Sequence, residues 1–233
     1  MARKPAREPT EPKNNHAKSN REKITAALMA LLAEQPIEKI GFAAIAGRAA
    51  LTLADCRAEF GSVLAVLAGE LKEIDRQVLA GGDTDMAEEP PRERLFDVMM
   101  RRLEALGPHK AAVRSLTRSA ACSPGLAFAL NGLTVRSMQW MLTAADIGAA
   151  GPKGMMRAQG LALLYASVLR TWLDDDVPGL ARTMAALDRG LARGARWSGL
   201  LDDLCRLAPS RCCVPGRWRR RSRDRGDEEP AAA

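Results

Sequence analysis

Residues 51–62, LTLADCRAEFGS, gather a hydroxyl (Thr52), a planar cation (Arg57) and two small or medium apolar side chains (Leu53 and Ala54). A helix that reads DNA needs donors for base edges, cations for phosphates and apolar contacts for thymine methyls. These four residues cover all three needs. Asp55 and Glu59 oppose that use, because carboxylates on the same short helix repel a polyanion unless they cap or pair internally. Over residues 24–62 Lys39, Arg48 and Arg57 face Glu34, Glu38, Asp55 and Glu59, a net of −1. Affinity for DNA grows with the number of phosphates neutralised, so this segment alone binds weakly. Lys18, Arg21 and Lys23 lie just ahead of it and supply the missing charge, as an arm that can enter the minor groove.

Other chemistry finds little support. Asp174-Asp175-Asp176 has no further ligand set near it in sequence, and Asp176 is well used as a helix cap. The cysteines at 56, 122, 205, 212 and 213 form no C-x-x-C pair, and His16 and His109 lie far from the tail cysteines, so no metal is expected. His109 follows the helix-breaking Pro108 and reads as a capping or surface residue. No nucleophile–base arrangement and no glycine-rich phosphate loop stands out. The sequence therefore reads as a non-enzyme without cofactors.

The elements that must position these groups are helices. The 233 residues are 47% hydrophobic but only 4% aromatic, with abundant Ala and Leu, which favours helix over strand. No uninterrupted apolar run is long enough for a membrane span, and the N-terminus lacks the apolar stretch of a secretory signal. An odd cysteine count without a framework points to a reducing compartment, so a cytoplasmic protein is expected. The net charge of +7 is carried at the ends: residues 1–23 and 206–233 each hold a net +4, which leaves 24–205 at −1.

Ile24, Ala27, Leu28, Leu31 and Leu32 recur at helical spacing in a first helix opening near Arg21, with Ser19 or Asn20 as its cap. Phe42, Ile45, Ala46 and Ala49 mark a short second helix. Thr52 caps a third, with Asp55 in its first turn, and Phe60 closes that helix on the core. Ser62 caps a fourth that runs to about Leu79. The loop at 81–91 is the best internal boundary. Beyond it Leu95, Val98, Met99, Leu103 and Leu106 share a face. Helices are expected over about 109–120, from Ser123-Pro124 to Ala145, over 155–173, and from Asp176-Pro178 onward. The expected domains are a disordered basic arm (1–20), a helix-turn-helix head (21–80), a helical effector-binding and dimerisation domain (88–197) and a disordered basic tail (198–233).

Residues 21–67 resemble the head of the TetR family of bacterial regulators. Ile45-Ala46, Ala49, Leu51-Thr52, Phe60, Ser62 and Leu67 fall at the family's matching places. Three positions depart from it: Ala50 stands where the family's turn has Gly, Arg57 where its recognition helix has a phosphate-touching Tyr, and Val63 where it has a phosphate-touching Lys. Residues 160–191, GLALLYASVLRTWLDDDVPGLARTMAALDRGL, resemble the closing helices of the coenzyme Q accessory proteins, TetR-fold proteins that bind isoprenoid lipids and assist ubiquinone synthesis.

The resemblances imply an all-α, TetR-like fold of about nine helices, with a three-helix head on a larger body. They imply a homodimer through the last two long helices, placing two recognition helices on a palindromic operator in double-stranded DNA. A small apolar effector in the body would set their spacing. The alternative they imply is a lipid-binding accessory protein of ubiquinone synthesis that leaves DNA alone. For the ligand pocket the candidates are Phe96, Met99, Met100, Leu103, Met138, Met141, Leu142 and Tyr165, joined by Met155, Met156 and Leu164. Methionines suit irregular apolar ligands. Trp140 and Trp172 sit at helical spacing and are expected in the core.

Overall fold

A computed structural model describes residues 13–82, 86 and 88–207, with side chains over 20–82, 86 and 88–194. Lys18 and most of the two basic ends therefore fall outside the described side chains. All regular structure among the described residues is helical: α1 (Lys13–Glu34), α2 (Phe42–Ala49), α3 (Leu53–Glu59), α4 (Val63–Ala80), α5 (Pro91–Ala105), α6 (Lys110–Cys122), α7 (Pro124–Ala144), α8 (Gly151–Leu173) and α9 (Ala181–Leu207).

Four boundaries differ from the sequence expectation. Helix α1 opens at Lys13 rather than near Arg21, and α9 continues to Leu207 rather than fading after Trp197. Both added stretches are polar, so apolar periodicity is silent there. Helix α8 opens at Gly151, with Pro152 in its first turn, rather than at about 155. The backbone of Ala149 lies so close to Gly154 that a Cβ there would overlap it. That glycine lets the loop fold onto the start of α8. Helix α9 starts at Ala181 rather than at Asp176, and its opening is held by Asp175: one carboxylate oxygen accepts from the Thr183 backbone N–H at 2.8 Å and from its hydroxyl at 2.7 Å. These bonds hold the Asp175 carboxyl below its ordinary pKa. Asp176 pairs instead with Lys110 of α6 at 2.8 Å, and Asp174 with Arg114 at 3.2 Å. The acidic run is thus three separate tethers.

Two apolar cores divide the molecule. In the head Ile24, Leu28 and Leu32 of α1, Ile45 of α2, Cys56 of α3 and Val66 of α4 are fully buried, all at 0% exposure. In the body Met99, Leu103, Met138, Met141, Trp172 and Leu187 hold the centre. Helix α4 belongs to both, with Val66 and Leu67 in the first and Ile74 and Val78 in the second. Helix α6 ties them again: Ala112 and Leu116 join the head core, Ser115 donates to the Gln35 carbonyl at 3.3 Å, and Ser119 donates to Glu38 at 3.0 Å. His109, just before α6, lies 3.4 Å from Glu70 of α4. The head is therefore mounted on the body along two rods rather than through one linker.

Candidate nucleic-acid interface and body cavity

The turn between α2 and α3 is made at Ala50, whose φ of 52° and ψ of 45° lie in the left-handed region. A side chain there is strained by about 1–2 kcal/mol, offset in part by the smaller entropy of Ala over Gly in the unfolded chain. Ala50→Gly is therefore expected to stabilise the protein by about 0.5–1 kcal/mol. The midpoint of urea unfolding checks this, and a lower midpoint contradicts it.

Helix α3 opens on a complete capping box. The Thr52 hydroxyl accepts from the Asp55 N–H at 3.1 Å, and the Asp55 carboxylate accepts from the Thr52 N–H at 3.0 Å and from its hydroxyl at 2.6 Å. Donation from the Thr52 hydroxyl and backbone holds Asp55 below its ordinary pKa. The Thr52 hydroxyl has one proton and spends it on Asp55, so Thr52 shapes the helix start rather than offering a donor to a base.

The other acid is also engaged. Glu59 pairs with Arg21 of α1 at 3.8 Å, and the Arg21 guanidinium lies 4.4 Å from the centre of the Phe60 ring. That arrangement takes Arg21 partly out of use as a phosphate contact. Arg48 forms a two-pronged bond to Glu34, at 2.9 and 2.7 Å, locking α2 to the end of α1. The guanidinium holds Glu34 below its ordinary pKa.

Leu53, at 57% exposure, and the exposed Ala54 and Arg57 share the outward face of α3. Cys56 and Phe60 point inward, and burial raises the Cys56 thiol pKa. Among the described residues no carboxylate pairs with Arg57, Lys23 or Lys39. Arg57 lies over Gly61, beside the start of α4, where Ser62 caps by accepting from the Ala65 N–H at 3.1 Å. Val63 packs against the head core. The outward face of α3 is thus an apolar and cationic strip, with both acids of the helix turned to internal partners.

The body places the methionines differently from the sequence expectation. Met99, Leu103, Met138 and Met141 are at 0% exposure and Tyr165 at 3%, packed on one another as solid core. Met100 is buried as well, and Phe96 packs against the edge of that core. Of the two tryptophans, Trp172 is core but Trp140 is 56% exposed.

A cavity of about 880 Å³ opens elsewhere, between α8, α9, the end of α7 and the start of α5. Leu142, Met156 and Leu164 are the sequence candidates that reach it. Its apolar wall also includes Leu95, Ile147, Leu161, Val168 and Leu191. Its charged lining, which sequence reasoning missed, is Arg92, Lys153, Arg157, Arg189 and Arg193. Helical spacing on α8 (153, 157) and on α9 (189, 193) contains that pattern, but only the antiparallel pairing of the two helices brings the four together. Among the described residues no cluster of His, Cys, Asp or Glu could hold a metal ion, and no helix is long and apolar enough to cross a membrane.

Neither a family model nor a curated protein sequence matches the chain. Solved structures do. A TetR transcriptional regulator from Nitrosomonas europaea matches with a TM-score of 0.59 at 20% identity, over 76% of this chain and 98% of that one. A TetR transcriptional regulator from a Rhodococcus species matches with a TM-score of 0.53 at 18% identity, over 77% of this chain and 97% of that one. The chain therefore has the TetR fold, a helix-turn-helix head on a helical body.

Proposed function

We propose that the chain is a TetR-type transcriptional regulator that binds a palindromic operator as a homodimer and responds to a small ligand in its body. The observation that carries this reading is the outward face of α3, where Leu53, Ala54 and Arg57 are exposed and Asp55 and Glu59 are held internally. In this reading α3 lies in the major groove, Leu53 and Ala54 meet thymine methyls, and Arg57 meets a phosphate, with Lys18, Arg21 and Lys23 in support. Helices α8 and α9 of two copies pair, which spaces the two α3 helices by one turn of DNA or a multiple of it. A ligand that binds one head spacing better than the other shifts the population and so changes occupancy of the operator.

Genome-wide recovery of bound DNA, with mass spectrometry of the co-purified lipid, tests the reading. Discrete palindromic sites support it. A lipid-binding accessory role in ubiquinone synthesis is the second reading, favoured by Val63 packing into the head core where a phosphate-binding cation would be useful. Retained isoprenoid with no recovered sites decides for it. On the first reading, Arg57→Ala weakens binding to all sequences alike and lowers the slope of log affinity against log salt by about 1. An unchanged slope contradicts the role given to Arg57.

A further inference from the structure

We infer that the cavity along the seam of α8 and α9 binds an amphiphile, a hydrocarbon chain ending in a phosphate or carboxylate. This deepens the effector half of the proposed function and rests on that reading only for its consequence on DNA. The argument is one of charge and space. Every charged residue among the described lining is a cation. Arg92 is neutralised by Glu93 and Asp188. Arg157 donates to the Gly148 carbonyl at 3.1 Å and Arg193 to the Arg189 carbonyl at 3.3 Å, and such acceptors leave the positive charge standing. Among the described residues no carboxylate comes within ion-pair distance of Arg189 or Arg193.

Below these cations the wall is hydrocarbon, with Leu142, Leu161, Leu164 and Val168. A ligand with only an apolar body would leave the cations unanswered. A compact anion would leave the apolar wall wet. An anionic amphiphile satisfies both. The volume lies within the range of about 300–1,000 Å³ usual for small-molecule sites. Two glycines hold the space open: a Cβ at Gly160 or Gly194 would meet no atom within 4 Å. A second copy of the chain is the rival occupant. A two-fold partner would bring the same cations against this face, a like-charge contact that an anionic head relieves.

The test titrates hexadecyl phosphate, hexadecanol and inorganic phosphate into the full chain, each below its aggregation limit, by calorimetry. Two variants are compared with it. Gly160→Leu fills the cavity while improving helix propensity, so its fold is expected to hold. Arg189→Glu with Arg193→Glu reverses the head site. Hexadecyl phosphate is expected to bind at least about tenfold more tightly than either control, and each variant to weaken it about tenfold or more. Equal binding of hexadecanol, equal binding of inorganic phosphate, or binding that neither variant weakens would overturn the inference. So would a Gly160→Leu variant that loses self-association yet keeps amphiphile affinity, which would make the second copy the occupant. DNA binding is followed in the same preparations. Intact DNA binding without amphiphile binding removes this inference alone, whereas amphiphile binding without any DNA sites removes the regulator reading and leaves this one.

Discussion

Arg102→Met is expected to destabilise the body by about 3–5 kcal/mol, the cost of stranding a buried charge. Arg102 is 1% exposed and Asp75 7%. Arg102 donates to one oxygen of Asp75, and the Ser137 hydroxyl donates to the other at 2.6 Å. The Arg102 guanidinium also lies 5.5 Å from the Tyr165 ring centre. Burial raises the Tyr165 hydroxyl pKa, so this group stays neutral beside the ion pair. Asp75 comes from α4, Arg102 from α5, Ser137 from α7 and Tyr165 from α8. Met at 102 keeps the volume and removes the charge, leaving the Asp75 carboxylate in an apolar core with one hydroxyl donor. Removing both charges together, as Asp75→Leu with Arg102→Met, is expected to recover most of the loss, because the pair as a whole repays little more than its own desolvation. Urea unfolding of the two variants measures this. A single variant within about 1 kcal/mol of the native chain, or a double variant as unstable as the single, contradicts it.

That cluster was invisible in the sequence, and the reason is general. Apolar spacing showed which faces turn inward: Ile24, Leu28 and Leu32, and later Leu95, Met99 and Leu103, all lie buried where their periodicity places them. Spacing says nothing about which polar residue on an inward face finds a partner three helices away. It was equally silent on Asp174, Asp175 and Asp176, identical in type and adjacent in chain, which differ only in direction and so in tether. Methionine content suggested a pocket among Met99, Met138 and Met141, yet flexible thioethers fill gaps as readily as they line them, and here they fill. Tryptophan type likewise could not separate the buried Trp172 from the exposed Trp140.

The head was more legible because its signals are local. Thr52 and Asp55 stand three residues apart, the spacing at which a cap closes, and the structure closes it. That closure resolves the conflict between the acids and the cation of α3. Asp55 organises the helix start, Glu59 answers Arg21, and Arg57 is left to solvent. A net charge counted along the chain treats these residues as equals, whereas an approaching polyanion meets only those on the outer face.

Phe60→Ala is the change expected to unseat that face, at a cost of about 3–5 kcal/mol to the head. The Phe60 ring is 4% exposed and lies against Gly69 of α4, where an added Cβ would stand 3.0 Å from a ring carbon. The ring also supports Arg21, which in turn holds Glu59. Removing it opens a cavity at the exact point where α3 ends, and α4 cannot close that cavity without shifting along both cores it serves. Helix α3 has seven residues and is too short to persist without tertiary support. Loss of the ring therefore removes the contact that keeps Leu53, Ala54 and Arg57 on one presented strip. Hydrogen exchange should show amides of 53–60 losing protection while those of α7 and α8 keep theirs. DNA affinity should fall further than Arg57→Ala alone produces, because the whole strip is lost rather than one cation. Phe60→Leu, which retains most of the volume, should recover the greater part of both. Protection of 53–60 left unchanged in Phe60→Ala would mean that Cys56 and the capping box hold α3 unaided, and that the ring's burial serves α4 instead.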